Sequence, residues 1–180
     1  FIASALFDIE KIESIVNGND IDIEIYTLKD KLYLKLFHAK VPLGLSDVLP
    51  IFENMGFKVI TARPAEIFPA NTGYSVWIHE FSLKPTECKD GDDVLDSKEA
   101  CKSVFKKVWS GEMENDSLNK LAISARMGAQ DITIIRSYVH YLKQTGYAFS
   151  IPYMETALTT YPVISGLLVS LFKEKFDPTL

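Results

Sequence analysis

Between Leu45 and Arg63 the hydrophobic pattern changes period within one short stretch. Val48, Leu49, Ile51, Phe52 and Met55 recur at the spacing of one helix face. Ser46 stands before that run, where a hydroxyl can accept from an unpaired N–H of the first turn. Pro50 falls in or just after the first turn, where a missing N–H costs little. Gly56 stands where a left-handed residue ends a helix. Phe57 to Thr61 then turns β-branched and apolar, which predicts a strand directly after the helix.

The flanking segments supply the other elements. Asp8 is placed to cap a short helix with Ile9, Ile12, Ile15 and Val16 on one side, ended by Asn17-Gly18. Ile21 to Leu28 alternates, with Ile21, Ile23 and Ile25 against Asp22, Glu24 and Tyr26. Leu32 to Phe37 alternates again, and only Lys29-Asp30 separates the runs, so a two-residue hairpin is predicted. That register sets Ile25 opposite Leu34 and Ile23 opposite Leu36 on a buried face, with Glu24 opposite Lys35 on a wet one. The strand from Phe57 to Ala62 is followed by a break at Pro69 to Gly73 and a strand from Tyr74 to Leu83. Lys84 to Asp96 is polar and acidic and reads as a solvated loop. Asp96 and Glu99 have capping-box spacing and open a helix. Its apolar face carries Cys101, Val104, Phe105, Val108 and Trp109, and its other face Lys98, Lys102 and Lys106.

This order predicts an α+β fold with a four-stranded, ferredoxin-like antiparallel sheet over residues 1–111. The first strand plays the part usually taken by the last, as in a circular permutation. The arrangement resembles the small ligand-sensing ACT domain. Residues 112–180 read as an all-α helical bundle. Asp116 caps a run with Leu118, Leu121, Ala122 and Ala125, and Gly128 breaks the chain. Asp131 to Thr145 carries Ile132, Ile135, Tyr138, Val139 and Leu142 on a broad apolar face, and Gly146 ends it. Ser150 caps another helix, and after Tyr161-Pro162 a stripe of Ile164, Leu167, Leu168, Leu171 and Phe172 runs to Lys175.

Composition narrows the partners. The net charge is -5 and no basic stripe is present, so a nucleic-acid partner is not expected. The apolar run Val163 to Phe172 has about half the length that a bilayer-spanning helix needs, so no membrane partner is expected. The first seven residues lack the features of a signal peptide, and the chain opens on Phe1 rather than Met, as a piece of a longer chain would. Cys101 falls on an apolar helix face and Cys88 in a polar loop, which fits a reducing cytoplasm better than a disulfide framework.

The catalytic inventory is thin. No Gly-x-Gly-x-x-Gly and no Gly-rich phosphate loop with Lys occurs. His38, His79 and His140 are far apart, and His140 reads as a surface residue between Arg136 and Gln144 on the polar side of its helix. His79 alternates with Trp77 and Phe81, as either a partly buried histidine or a base without a visible nucleophile or acid. Glu80 could serve as that acid only by changing faces of the strand. Ser46-Asp47 reads either as a helix cap or as a contact for an anionic effector. The lysines of Lys98 to Lys107 read as a solvated face, and the stripe Ile164 to Phe172 as core unless a fragment has lost its partner. No catalytic, cofactor-binding or metal residue is assigned.

Several motifs in order carry a resemblance. Leu45-Ser-Asp-Val-Leu-Pro-Ile-Phe-Glu-Asn-Met-Gly-Phe-Lys-Val-Ile, Ala62-Arg-Pro and Val76-Trp-Ile-His-Glu-Phe resemble the large bacterial NAD-specific glutamate dehydrogenases. Val108-Trp-Ser-Gly-Glu, Asn115-Asp-Ser-Leu-Asn-Lys-Leu, Tyr141-Leu-Lys-Gln-Thr-Gly-Tyr-Ala-Phe-Ser and Lys175-Phe-Asp-Pro agree. The resemblance implies a non-catalytic ACT-like and helical segment, serving regulation or assembly, ahead of a catalytic domain that oxidatively deaminates L-glutamate with NAD. It implies no cofactor within this segment. The partners it implies are the rest of the parent chain, further copies of it, and an amino-acid effector as a candidate. The alternative is a stand-alone ACT-like module for amino-acid sensing or protein interaction.

Overall fold

The computed structural model describes residues 2–70, 72–86 and 91–176. Backbone packing divides the chain into two compact units, Phe1–Pro50 with Lys58–Lys84 and Ile51–Phe57 with Pro85–Leu180.

The first unit rests on a four-stranded antiparallel sheet. β1 (Ile21–Leu28) and β2 (Lys31–Ala39) form the predicted hairpin in the predicted register, with Ile25 opposite Leu34, Ile23 opposite Leu36 and Glu24 opposite Lys35. The turn needs two residues with positive φ to match the strand twist, and Lys29 and Asp30 supply φ of 50° and 56° without a glycine. β4 (Val76–Pro85) lies antiparallel beside β2, and β3 (Phe57–Ile67) takes the far edge, giving the order β1-β2-β4-β3. The chain leaves β2 through α2 (Leu45–Asn54), enters β3 and returns through β4, the split βαβ of a ferredoxin-like sheet. β1 thus fills the place of a displaced last strand. β3 runs past Ala62 and through Pro64, because an edge strand tolerates a missing N–H.

Ile23, Ile25, Leu34, Leu36 and Phe81 share one sheet face and are fully buried. The other face is not wet. α1 (Ile2–Val16) lies across it, with Ile15 packed against Phe37 and Val76, and it covers Asp22 and Glu24. The helix-forming run Ala3-Ser-Ala-Leu starts α1 before Asp8, so Asp8 lies within the helix instead of capping it. α2 also starts earlier than a Ser46 cap requires. Its first bonds run from Asp47 and Val48 N–H to the Gly44 carbonyl, and the Ser46 hydroxyl turns to Asp47. Gly56, at φ 84°, ends α2 as expected.

The second unit is helical. The end of α2 contributes Phe52, which stacks on Phe105 of α4 (Lys98–Trp109) at 5.6 Å between centroids. α4 buries the predicted face of Cys101, Val104, Phe105 and Val108. The segment read as a solvated loop instead holds α3 (Gly91–Asp96), which buries Val94. Asp96 does not cap α4; it pairs with Arg126 at 2.7 Å, and Ser97 takes the cap position and donates its hydroxyl to the Ile123 carbonyl. A 3-10 turn (Ser117–Lys120), α5 (Leu121–Ser124), α6 (Ala129–Gln144), α7 (Ile151–Thr160) and α8 (Pro162–Phe176) follow. Asp116 and Ser150 cap as predicted, accepting from Leu118 and Tyr153 N–H. No single helix among the described residues is long and apolar enough to cross a membrane.

The left-handed hairpin turn yields a test. Asp30→Gly relieves the Cβ strain at φ 56° and should stabilise the chain by about 0.5 kcal/mol or more in urea unfolding. Unchanged or lower stability would contradict the turn.

Candidate functional site

The polar side chains beneath α1 are the first place where chemistry could sit. Lys35 of β2 donates to both Asp8 carboxylate oxygens, at 2.9 and 2.7 Å, and Lys11 of α1 donates to Asp22 at 3.0 Å. The Tyr26 hydroxyl donates to Glu80, while its ring stacks on Tyr33 and lies under the Lys35 ammonium. Burial and the bond to Glu80 push the Tyr26 hydroxyl well above its ordinary range, so it remains a protonated donor. The two lysine pairs join α1 to the sheet, and the Tyr26–Glu80 bond ties β1 to β4. Glu80 is thereby held on the face opposite His79 and does not orient it.

His79 is 4% exposed, between Trp77 and Phe81 on β4 and opposite Leu36 on β2. Its Nδ1 and the Trp77 Nε1 are the buried side-chain polar atoms without a hydrogen-bond partner among the described residues. Burial chiefly, and the neighbouring His38 secondarily, push the His79 pKa below its ordinary value of 6.5. His79 is therefore neutral at neutral pH; it is more deeply buried than the partly buried, hydrogen-bonded histidine expected from sequence, and its Nδ1 lacks a partner among the described residues.

A dinucleotide requires a helix N-terminus that a pyrophosphate can approach, with glycine to let the backbone come close. Gly44 and the start of α2 are the part of the first unit with that form. There a Cβ added to Gly44 would meet Asp47 Oδ2 at 2.7 Å, so a carboxylate already lies over the glycine. This anion disfavours a phosphate at that glycine.

In the second unit Arg136 is buried on α6 and held by several acceptors. Its Nε and Nη2 donate to Asp116 at 2.6 and 2.9 Å, and Nη2 donates to Asn119 at 3.0 Å. Asn119 in turn donates to the Glu114 carbonyl, and Ser117 donates to Glu155 of α7 at 2.7 Å. His140 lies half-exposed, 3.6 Å from Glu114. Arg136 thus departs from the expected polar side of α6. Cys101 is fully buried, and Cys88 lies outside the described residues. No group of three or more metal-ligating side chains occurs among the described residues. Two open apolar grooves, of about 330 and 350 Å³, flank Tyr138 between α6, α7 and α8.

Comparison with known proteins gives a consistent result. Residues 20–95 match the family model described as glutamate dehydrogenase, ACT3 domain, and residues 113–178 match that described as glutamate dehydrogenase, helical motif 3. The chain is 35% identical over 179 residues to a protein of Halomonas elongata named NAD-specific glutamate dehydrogenase, covering 97% of this chain and 11% of that protein. It is 38% identical over 148 residues to one of the same name from Pseudomonas aeruginosa, covering 82% and 9%. A third, from Mycobacterium tuberculosis, is 30% identical over 139 residues, covering 75% and 8%. The chain spans about a tenth of the length of these curated relatives.

Two outcomes follow from this geometry. Asp116→Ala strips the buried guanidinium of its carboxylate and should lower unfolding stability by about 3–5 kcal/mol, read in urea; a loss under about 1 kcal/mol would contradict the buried pairing. The unfolded chain takes up a proton at His79 near pH 6.5 and the folded chain only below that. This part of the stability is complete above pH 6.5 and declines as the pH falls below it. His79→Phe should flatten the decline below pH 6.5, and an equal decline in the variant would contradict the assignment.

Proposed function

The chain belongs to the glutamate dehydrogenase family, as its ACT3 domain and helical motif 3, and from that premise we propose that it is a non-catalytic regulatory or assembly segment of a large NAD-dependent glutamate dehydrogenase. The parent reaction is the oxidation of L-glutamate by NAD and water to 2-oxoglutarate, ammonia and NADH. The observation that carries the proposal is where the matches fall: on these two segments, together spanning most of the chain. The side chains support it. Arg136, Lys35 and Lys11 hold carboxylates of their own unit, and Asp47 covers the glycine at which a pyrophosphate would approach. The segment's partners on this reading are the remaining polypeptide and further copies of it, in the cytoplasm, with an amino acid as the class of effector.

The test compares the 180-residue chain with the full-length parent. With L-glutamate and NAD, the parent should form NADH and the 180-residue chain none. A parent lacking this segment should lose its native oligomeric state or its response to effectors. Turnover by the 180-residue chain, or a deleted parent that assembles and responds normally, would overturn the proposal.

A further inference from the structure

α8 carries apolar residues on two sides, yet only one of those sides is covered. On the inner side Ser165 and Val169 are buried, Ser165 donates to the Leu158 carbonyl of α7 at 2.8 Å, and Phe172 meets Tyr138 of α6 edge-on. Lys173 adds an ion pair to Asp131 of α6 at 2.7 Å. The outer side presents Val163, Ile164, Leu167 and Leu171, which are 76%, 54%, 65% and 59% exposed. These four recur at the spacing of a single helix face. A contiguous exposed apolar stripe of this kind marks an interaction surface. We propose that this outer face of α8 is an intrachain docking surface, covered in the full-length protein by an apolar helix from the polypeptide outside these 180 residues.

The occupant follows from size and charge. α8 has 15 residues and is about 22 Å long, so one face offers roughly 200–300 Å². A stable association between separate molecules needs about 800 Å² from each partner. A face this small suffices when its partner is tethered, because the tether supplies a high effective concentration. The relatives have the polypeptide to provide it, since this chain covers 11%, 9% and 8% of them. A lipid surface fits poorly. A helix lying on a membrane carries lysines and arginines along its polar side, whereas α8 has only Lys173 and Lys175, beside Glu174, and Lys173 is held by Asp131.

The inference rests on the proposed membership in a longer dehydrogenase, and its test is separable from that reading. Hydroxyl-radical footprinting with mass spectrometry compares Leu167 and Leu171 in the 180-residue chain and in the full-length parent. Labelling of both should fall about tenfold in the parent. In a parent carrying Leu167→Glu and Leu171→Glu, labelling of Ile164 should return to the level of the 180-residue chain. A photo-crosslinker placed at Leu167 of the parent should join residues outside this segment within the same chain. Equal labelling in both proteins would overturn the docking surface, and leave the dehydrogenase reading to the turnover test. Crosslinks between two copies would assign the face to self-association instead. Binding of the 180-residue chain to phosphatidylcholine–phosphatidylglycerol vesicles, lost in the double variant, would assign it to lipid.

Discussion

A guanidinium taken out of water must find an anion and further acceptors, or the fold that buries it fails. Arg136 sits at that constraint. Its fork on Asp116 and its bond to Asn119 fix the 3-10 turn against α6, and Ser117 of the same turn holds Glu155 of α7. α8 then rests on α6 and α7 through Ser165, Phe172 and Lys173. The first unit repeats the device on a smaller scale. Lys35 and Lys11 bind Asp8 and Asp22, and so fasten α1 to the sheet. Each of these cations holds a carboxylate of its own unit.

What could be read from sequence alone was whatever a local period or a local turn specifies. The hairpin was legible because two alternating runs flank a two-residue gap, and a one-residue slip would have exposed Ile23, Ile25, Leu34 and Leu36 together. The permuted sheet followed from the element order. The covered face was not legible, because Asp22, Glu24 and Lys35 alternate as solvated residues do; only α1, ending before Gly18, supplies the roof. α3 was hidden by the acidic residues around Val94.

The polar network had a signal that the sequence reading passed over. Ile132, Ile135, Arg136 and Val139 lie at offsets of one helix face, which places the arginine among the apolar residues. Its partner Asp116 was visible only as a cap, because a contact across 20 residues has no local signature. The shared strand face of His79, Trp77 and Phe81 was legible from their alternation but the full burial of His79 was not, and Asp47 over Gly44 was hidden because the pattern pointed to Ser46 as the cap.

The central claim is that this chain of the glutamate dehydrogenase family uses Arg136, Lys35 and Lys11 to hold its own carboxylates and offers no seat for a dinucleotide. The most direct measurement is isothermal titration of the 180-residue chain with NAD. The account predicts no saturable heat, because Asp47 lies over the glycine where a pyrophosphate would have to approach. Saturable binding at one site per chain would contradict it.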